Sequence, residues 1–404
     1  MLLVLWIMLI GADRIDLLGG GASFILTPYL ALTPIVVASE VIRRWREGRS
    51  FRVPRLGLAY ALLASALVAV VLLSAVGALD VQISAARALL LTAQIGGTLA
   101  VVLLCRGRSN LAPTLARGAL ACLLLFALFD FAEAWWWIGR GAETMRFGPM
   151  LLHFGALQNV GPVPRLAGPV SDANRGGFVL LFYALLIVGG ERRPVVRRVA
   201  LAVCALFVLL TISRSAWLGG AAMLVVLAFR WRGRVPLALG LATSLVIAAG
   251  VTLFMVDPAP LTRVASMIST PVSRRLTTSE GSAQSHVALI ERGLNDATES
   301  VPQALVGLGY GNSHLVLQDV FPGNKYGNFH SLYVSMFAES GIAALLLVLV
   351  MILTPAVAGG PWRPLIAGAI VFNVFYQTPT EPAFWFALAA AWVTMPSRRG
   401  GRTP

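Results

Sequence analysis

Charged side chains are scarce in this sequence. They make up 12% of its 404 residues, whereas hydrophobic side chains make up 57%. The mean hydropathy is +0.79. A soluble domain of this composition would expose apolar surface on every side, so the composition excludes an ordinary soluble domain and indicates a membrane protein.

Cysteine and lysine are scarce too. Cys105, Cys122 and Cys204 lie within or at the ends of apolar runs and lack the spacing of metal ligands, so we interpret them as core residues. Arginine outnumbers lysine thirty-one to one, which reflects genome composition and not chemistry. No basic region and no small-residue cleavage site mark residues 1–10 as a signal peptide, so we interpret them as a short first span.

Long apolar runs recur along the chain, for example at residues 56–79, 81–105 and 342–353. Because ~20 helical residues cross a bilayer, about twelve spans are predicted. The expected fold is an all-α integral membrane protein, a single polytopic domain over residues 1–404, with both termini in the cytoplasm.

Arginine clusters between the spans give the orientation. Placing the densest cluster in the cytoplasm puts all later clusters there as well, as the positive-inside rule requires. The +14 formal charge therefore reports topology, and nucleic acid is not an expected partner. The clusters are Arg43, Arg44, Arg46, Arg49, Arg52 and Arg55; Arg106, Arg108 and Arg117; Arg192, Arg193, Arg197 and Arg198; Arg230, Arg232 and Arg234; Arg363; and Arg398, Arg399 and Arg402.

Two long segments, residues 139–172 and 257–329, are then predicted to lie in the periplasm. Apolar residues at helical spacing between Ser285 and Ser300 predict an amphipathic helix over the membrane face. Neither loop holds a cluster of acidic residues of the kind that binds a divalent cation against phosphates, so no metal and no cofactor are predicted.

Arg214, in the segment Thr211–Leu218, separates two short apolar runs. An ionisable group there is costly unless it has a partner or ligand. It either reaches to the outer headgroups or binds phosphate, which a planar guanidinium matches well. Asp172, Asn174 and Arg175 begin another span, where Asp172 is a candidate helix cap.

Glycines 307, 309 and 311, with Tyr310 between them, precede Asn328 and His330 at the start of a further span. Such glycines often mark only a turn. His330 lies where imidazole can accept a proton near neutral pH, or else is structural. Glu339 lies deeper in the span, and a structural role is favoured for it.

These motifs, in this order, resemble the bacterial O-antigen ligase and polymerase family. The resemblance rests on Pro169–Asn174, on Thr-x-Ser-Arg-Ser-Ala-Trp-Leu at 211–218, and on Gly-Leu-Gly-Tyr-Gly with Asn-x-His-Ser-x-Tyr and Glu-Ser-Gly-Ile at 307–342. It covers roughly the C-terminal sixty percent of the chain, and the first spans match in hydropathy alone.

The resemblance implies inverting, metal-independent transfer of an undecaprenyl-diphosphate-linked glycan to a glycan or lipid A-core acceptor, at the periplasmic face of the inner membrane and among its lipids. It implies that Arg214 binds the diphosphate and that His330 is the base. Asn174, Arg175 and Tyr310 are candidate substrate contacts, and Asn328 and Gly309 are secondary. The family commonly has a second arginine in the periplasmic helix.

The position that best matches this second arginine holds His286. Arg292 is the first substitute, followed by Arg274, Arg275 and Arg263. Ligases and polymerases of the family share these motifs, and a protein-directed oligosaccharyltransferase of the same superfamily is a third option. A transporter or flippase of lipid-linked glycans is the alternative of another class, and it should carry functional charges near the midplane of both halves.

Overall fold

A computed structural model describes residues 1–19, 25–139, 143–154, 159–160, 163–230, 281–319 and 327–396. The helices in these ranges are numbered in chain order. They are α1 (Leu2–Met8), α2 (Pro28–Arg46), α3 (Arg55–Ser74), α4 (Val81–Cys105), α5 (Leu111–Gly139), α6 (Ala173–Gly190), α7 (Pro194–Leu210), α8 (Arg214–Arg230), α9 (Gly281–Thr298), α10 (Val301–Val306), α11 (Ser313–Val316), α12 (Leu332–Ala358), α13 (Arg363–Phe375) and α14 (Pro382–Val393).

Within these ranges, five helices are long and apolar enough to cross a membrane: α3, α4, residues 111–134 of α5, α6 and α12. Three shorter helices, α8, α13 and α14, are also apolar. The mostly helical architecture agrees with the sequence, and the count of twelve spans stays a prediction. Part of the predicted large loop and an apolar run, residues 231–280, lie outside the described residues.

Short strands add to the expected all-helical fold. β1 (Ile15–Asp16), β2 (Glu143–Phe147) and β3 (Met150–Phe154) form an antiparallel sheet in the order β1-β3-β2. β2 and β3 are joined by a two-residue turn at Gly148 and Pro149, and Gly148 has a positive φ of 60°. β4 (Asn159–Val160) and β5 (Val163–Pro164) form a second, two-stranded pair. Strands β2 to β5 lie within residues 139–172, the first predicted periplasmic loop.

One end of the bundle is rich in arginine. Glu40 of α2 pairs with Arg43 at 2.7 Å and with Arg108 at 2.8 Å. The guanidinium of Arg44 donates to the carbonyls of Leu103, Leu104 and Arg106 at 2.7–3.0 Å. Because the last carbonyls of a helix lack intrahelical partners, this arginine satisfies the C-terminus of α4.

The predicted amphipathic helix is present as α9. Leu289 and Ala297 are buried against Phe329, Val334 and Ala338 at the start of α12. Val287 and Leu294, two of the apolar residues that predicted it, remain 56% and 42% exposed. Part of its apolar face therefore packs on α12.

Candidate functional site

The N-terminal ends of four helices lie close to one another. Asn174 of α6 contacts Ser213 before α8, Arg175 of α6 pairs with Glu381 before α14, and the ring of His330 before α12 contacts Tyr376. Helix N-termini carry partial positive charge. Their proximity favours an anionic ligand in this part of the bundle.

A sharp break between α7 and α8 presents Arg214. Ile212 has a φ of 48°, which is uncommon for a β-branched residue. The hydroxyl of Ser213 accepts the N–H of Ala216 at 3.2 Å, as an N-cap does, and its carbonyl accepts from Trp217. Arg214 is the first helical residue and is partly exposed.

Asn174 connects this break to α6. Its Oδ1 accepts from the hydroxyl of Ser213 at 2.8 Å and from Nη2 of Arg165 at 2.8 Å. Nε of Arg165 donates to the carbonyl of Thr211 at 2.9 Å. The buried guanidinium thus bonds both sides of the contact between α6 and the break.

His330 also has a left-handed backbone, with a φ of 53°. Its N–H donates to Oδ1 of Asn328 at 2.9 Å, and its ring meets that of Tyr376 edge-on, with 5.6 Å between centroids. The residue lies before α12 and outside the helix. Burial lowers the pKa of His330 from its usual 6.5, the charge of Asp172 opposes that shift, and Arg165 adds to it.

Asp172 acts at two places. Its carboxylate accepts the N–H groups of Asn174 and Arg175 at 2.8 and 3.1 Å, so the predicted cap of α6 is confirmed. It also accepts a hydrogen bond from the Tyr376 hydroxyl. The cap of α6 and the ring beside His330 are therefore connected.

Arg175, in the first turn of α6, belongs to a cluster of ion pairs. It bonds Asp13 at 2.6 Å and Glu381 at 3.2 Å. The neighbouring Arg14 pairs with Glu133 of α5, and both are buried. With two carboxylates beside it, Arg175 contacts the protein and is less suited to bind substrate phosphate, the alternative left open by the sequence.

Tyr310 and Gly309 lie in a docking segment, residues 307–311, on α12. Gly341 breaks α12 with a φ of 79°, and the segment's N–H groups donate to the carbonyls of Ala338 and Glu339 beside the break. Glycines 307, 309 and 311 all have positive φ, as turn glycines do. Tyr310 is 3% exposed in the core. This burial favours packing over contact with a ligand.

Glu339 is buried beneath the same segment. Its two carboxylate oxygens accept the N–H of Gly311 at 2.9 Å and that of Ser313 at 3.3 Å. Ser313 is the first residue of α11, so the carboxylate satisfies a helix N-terminus. These contacts are those of a structural residue.

Arg292, the first substitute for the second arginine, lies apart from these contacts. Arg292 is on the exposed side of α9 and pairs with Asp296 at 3.0 Å and Asp319 at 3.4 Å. Two carboxylates reduce its capacity for an anion. His286 belongs to α9, whereas Arg263, Arg274 and Arg275 fall outside the described residues.

Sequence reasoning missed Arg165, Tyr376 and Glu381. Arg165 directly follows Pro164 in a short, proline-rich approach to α6, where a lone arginine could have been singled out. Tyr376 and Glu381 follow the penultimate described helix, and no recognised motif includes them. In the described ranges, no group of three histidine, cysteine or acidic side chains is placed to hold a metal.

Residues 199–349 match the family model described as O-antigen ligase. The match includes Arg214, Tyr310 and His330, and it leaves out Arg165 and Asn174. No curated protein matches the chain. Together with the apolar helices, the match indicates a multi-pass membrane protein with a glycosyl-transfer function in O-antigen processing. The resemblance drawn from the motifs is confirmed over residues 199–349, which are similar to the O-antigen ligase family.

Proposed function

We propose that this protein is an O-antigen ligase that transfers a glycan from undecaprenyl diphosphate to a sugar of lipid A-core or a similar acceptor. The reaction takes place at the periplasmic face of the inner membrane. The observation that carries the proposal is the junction at the start of α6, where Asn174 contacts the Ser213–Arg214 break and the charges of Asp172 and Arg165 act on His330.

Arg214 binds the donor diphosphate. Arg214 is the first residue of α8 and follows Ser213, which contacts the start of α6. Helix N-termini favour negative charge, and a guanidinium matches phosphate oxygens. As the bond from the anomeric carbon to the diphosphate oxygen breaks, negative charge builds on the leaving group. A fixed cation stabilises that charge without the cost of reorganising solvent.

His330 takes the proton of the acceptor hydroxyl. The hydroxyl oxygen attacks the anomeric carbon from the face opposite the diphosphate, which inverts the configuration, and undecaprenyl diphosphate leaves. Only neutral imidazole accepts a proton, and a lowered pKa keeps His330 neutral at pH 7. No step calls for a metal or cofactor.

The test measures transfer in membranes that contain undecaprenyl-diphosphate-linked glycan, lipid A-core and a chelator. Arg214→Ala and His330→Ala are each expected to reduce transfer by at least about a hundredfold, since each removes a group that acts in the transition state. Arg146→Ala, in exposed strand β2, is the matched control. Normal transfer by both variants would refute the site.

The products separate the alternatives. A ligase forms glycosylated lipid A-core, a polymerase lengthens the lipid-linked glycan when lipid A-core is omitted, and a flippase moves the donor between leaflets without forming a glycosidic bond. Wild-type transfer that requires a divalent metal would point to another class of glycosyltransferase.

A further inference from the structure

We infer that Arg165 is the positioning residue that holds the donor-binding break and the histidine base in one arrangement. The inference rests on the proposed function and deepens it. Arg165 precedes α6, lies outside the part of the chain that matches the family, and is 7% exposed.

The bonds of Arg165 join two elements. Nε donates to the carbonyl of Thr211, one residue before the left-handed Ile212, and Nη2 donates to the amide oxygen of Asn174. The same oxygen accepts from Ser213. The planar guanidinium of Arg165 therefore holds the Thr211 carbonyl before the break. It also holds the Asn174 amide oxygen, which accepts the hydrogen bond of Ser213 after the break. Lysine cannot reproduce this pair of directional bonds.

The positive charge of Arg165 also acts on His330 and lowers its pKa. The other groups beside His330 are the carboxylate of Asp172 at the cap of α6, whose charge favours protonation, the ring of Tyr376 after α13, and the side chain of Asn328, which accepts the backbone N–H of His330. A fixed cation near the ring opposes its protonation, whereas Asp172 favours it. Arg165 thus acts on the base through charge and on Arg214 through geometry.

Two substitutions separate these effects. Arg165→Lys keeps the charge and loses the fork, so we expect transfer to fall about tenfold through kcat or the donor KM while the acidic limb of the pH profile stays in place. Arg165→Ala loses both, so we expect a fall of about a hundredfold and an acidic limb displaced to higher pH. Arg146→Ala is again the control.

Transfer is assayed with undecaprenyl-diphosphate-linked glycan and lipid A-core, after size-exclusion chromatography has shown that each variant is folded. Wild-type kinetics in Arg165→Lys would overturn the positioning by hydrogen bonds. If Arg165→Ala is folded and the acidic limb of its pH profile does not move, the effect of Arg165 on His330 is overturned. If Arg165→Ala does not fold, Arg165→Gln is measured in its place. Full activity in Arg214→Ala and His330→Ala would refute the proposed function instead, so the two failures are distinguishable.

Discussion

His330 and Ile212 adopt a backbone conformation that few residues other than glycine adopt. Each costs about 1–2 kcal/mol of local strain, which the surrounding bonds must offset. The strain falls at the two motifs that the sequence singled out for chemistry. At His330, the side chain of Asn328 accepts the N–H and supports the turn.

Asn328 therefore offers a test at the level of one hydrogen bond. Asn328→Ala removes the acceptor, and we expect transfer to fall about tenfold because the imidazole loses its fixed position. Asn328→Ser retains a side-chain oxygen and should keep most of the activity. Initial rates in membranes with equal amounts of protein check this. Equal rates for the two variants would show that the bond does not position the base.

The pH dependence follows from the lowered pKa of His330. The midpoint of the acidic limb should lie below pH 6.5, because the folded protein binds the proton only at a lower pH than a free imidazole does. The linked stability has the same sign: it is complete above the unfolded value of 6.5 and decreases as the pH falls towards the folded pKa. A pH-rate profile from 4.5 to 8 measures the limb, and a midpoint above 6.5 would contradict the assignment.

At the scale of elements, the break in α12 allows the close approach of the last residues of α10. Gly341 needs a positive φ, and a Cβ there would come within 2.9 Å of the N–H nitrogen of Val306 and closer still to the carbonyl of Leu305. Gly359 also has a positive φ, yet a Cβ there would meet nothing within 4 Å. Substitutions at Gly341 and Gly359 therefore distinguish backbone strain, which both would cause, from steric overlap, which only the substitution at Gly341 would cause.

We expect Gly341→Ala to destabilise the protein by roughly 3 kcal/mol and Gly359→Ala by about 1 kcal/mol. Thermal unfolding followed by fluorescence-detected size exclusion compares them. Equal shifts would mean that only the backbone conformation matters at position 341.

The sequence predicted a helix or its cap correctly where a local pattern alone determines the structure. Asp172 caps α6, and the 285–300 pattern forms a helix, because each rests on local chemistry. The strands at 143–154 were missed although Gly148-Pro149 separates two five-residue runs. Arg165 and Tyr376 were missed because only tertiary packing brings them beside His330.

At the scale of the whole molecule, the sequence predicts an orientation in the membrane that can be tested by cysteine labelling. The cysteines at 105, 122 and 204 are free and buried, which gives a low background for labelling. Phe147→Cys, on β2, should react with a membrane-impermeant maleimide in spheroplasts. Ser50→Cys, between α2 and α3, should react only after permeabilisation. The reverse pattern would invert the predicted orientation.

Asp172 both caps α6 and contacts the Tyr376 hydroxyl beside His330, and these two roles limit which residues can occupy position 172. At Thr27, which caps α2 with one bond from Leu30, serine, asparagine and aspartate are interchangeable in principle. At position 172 the same exchange would keep the helix start but remove the negative charge that faces His330 and the carboxylate that the Tyr376 hydroxyl contacts. Exchange among serine, threonine, asparagine and aspartate is therefore tolerated at position 27, whereas position 172 requires aspartate.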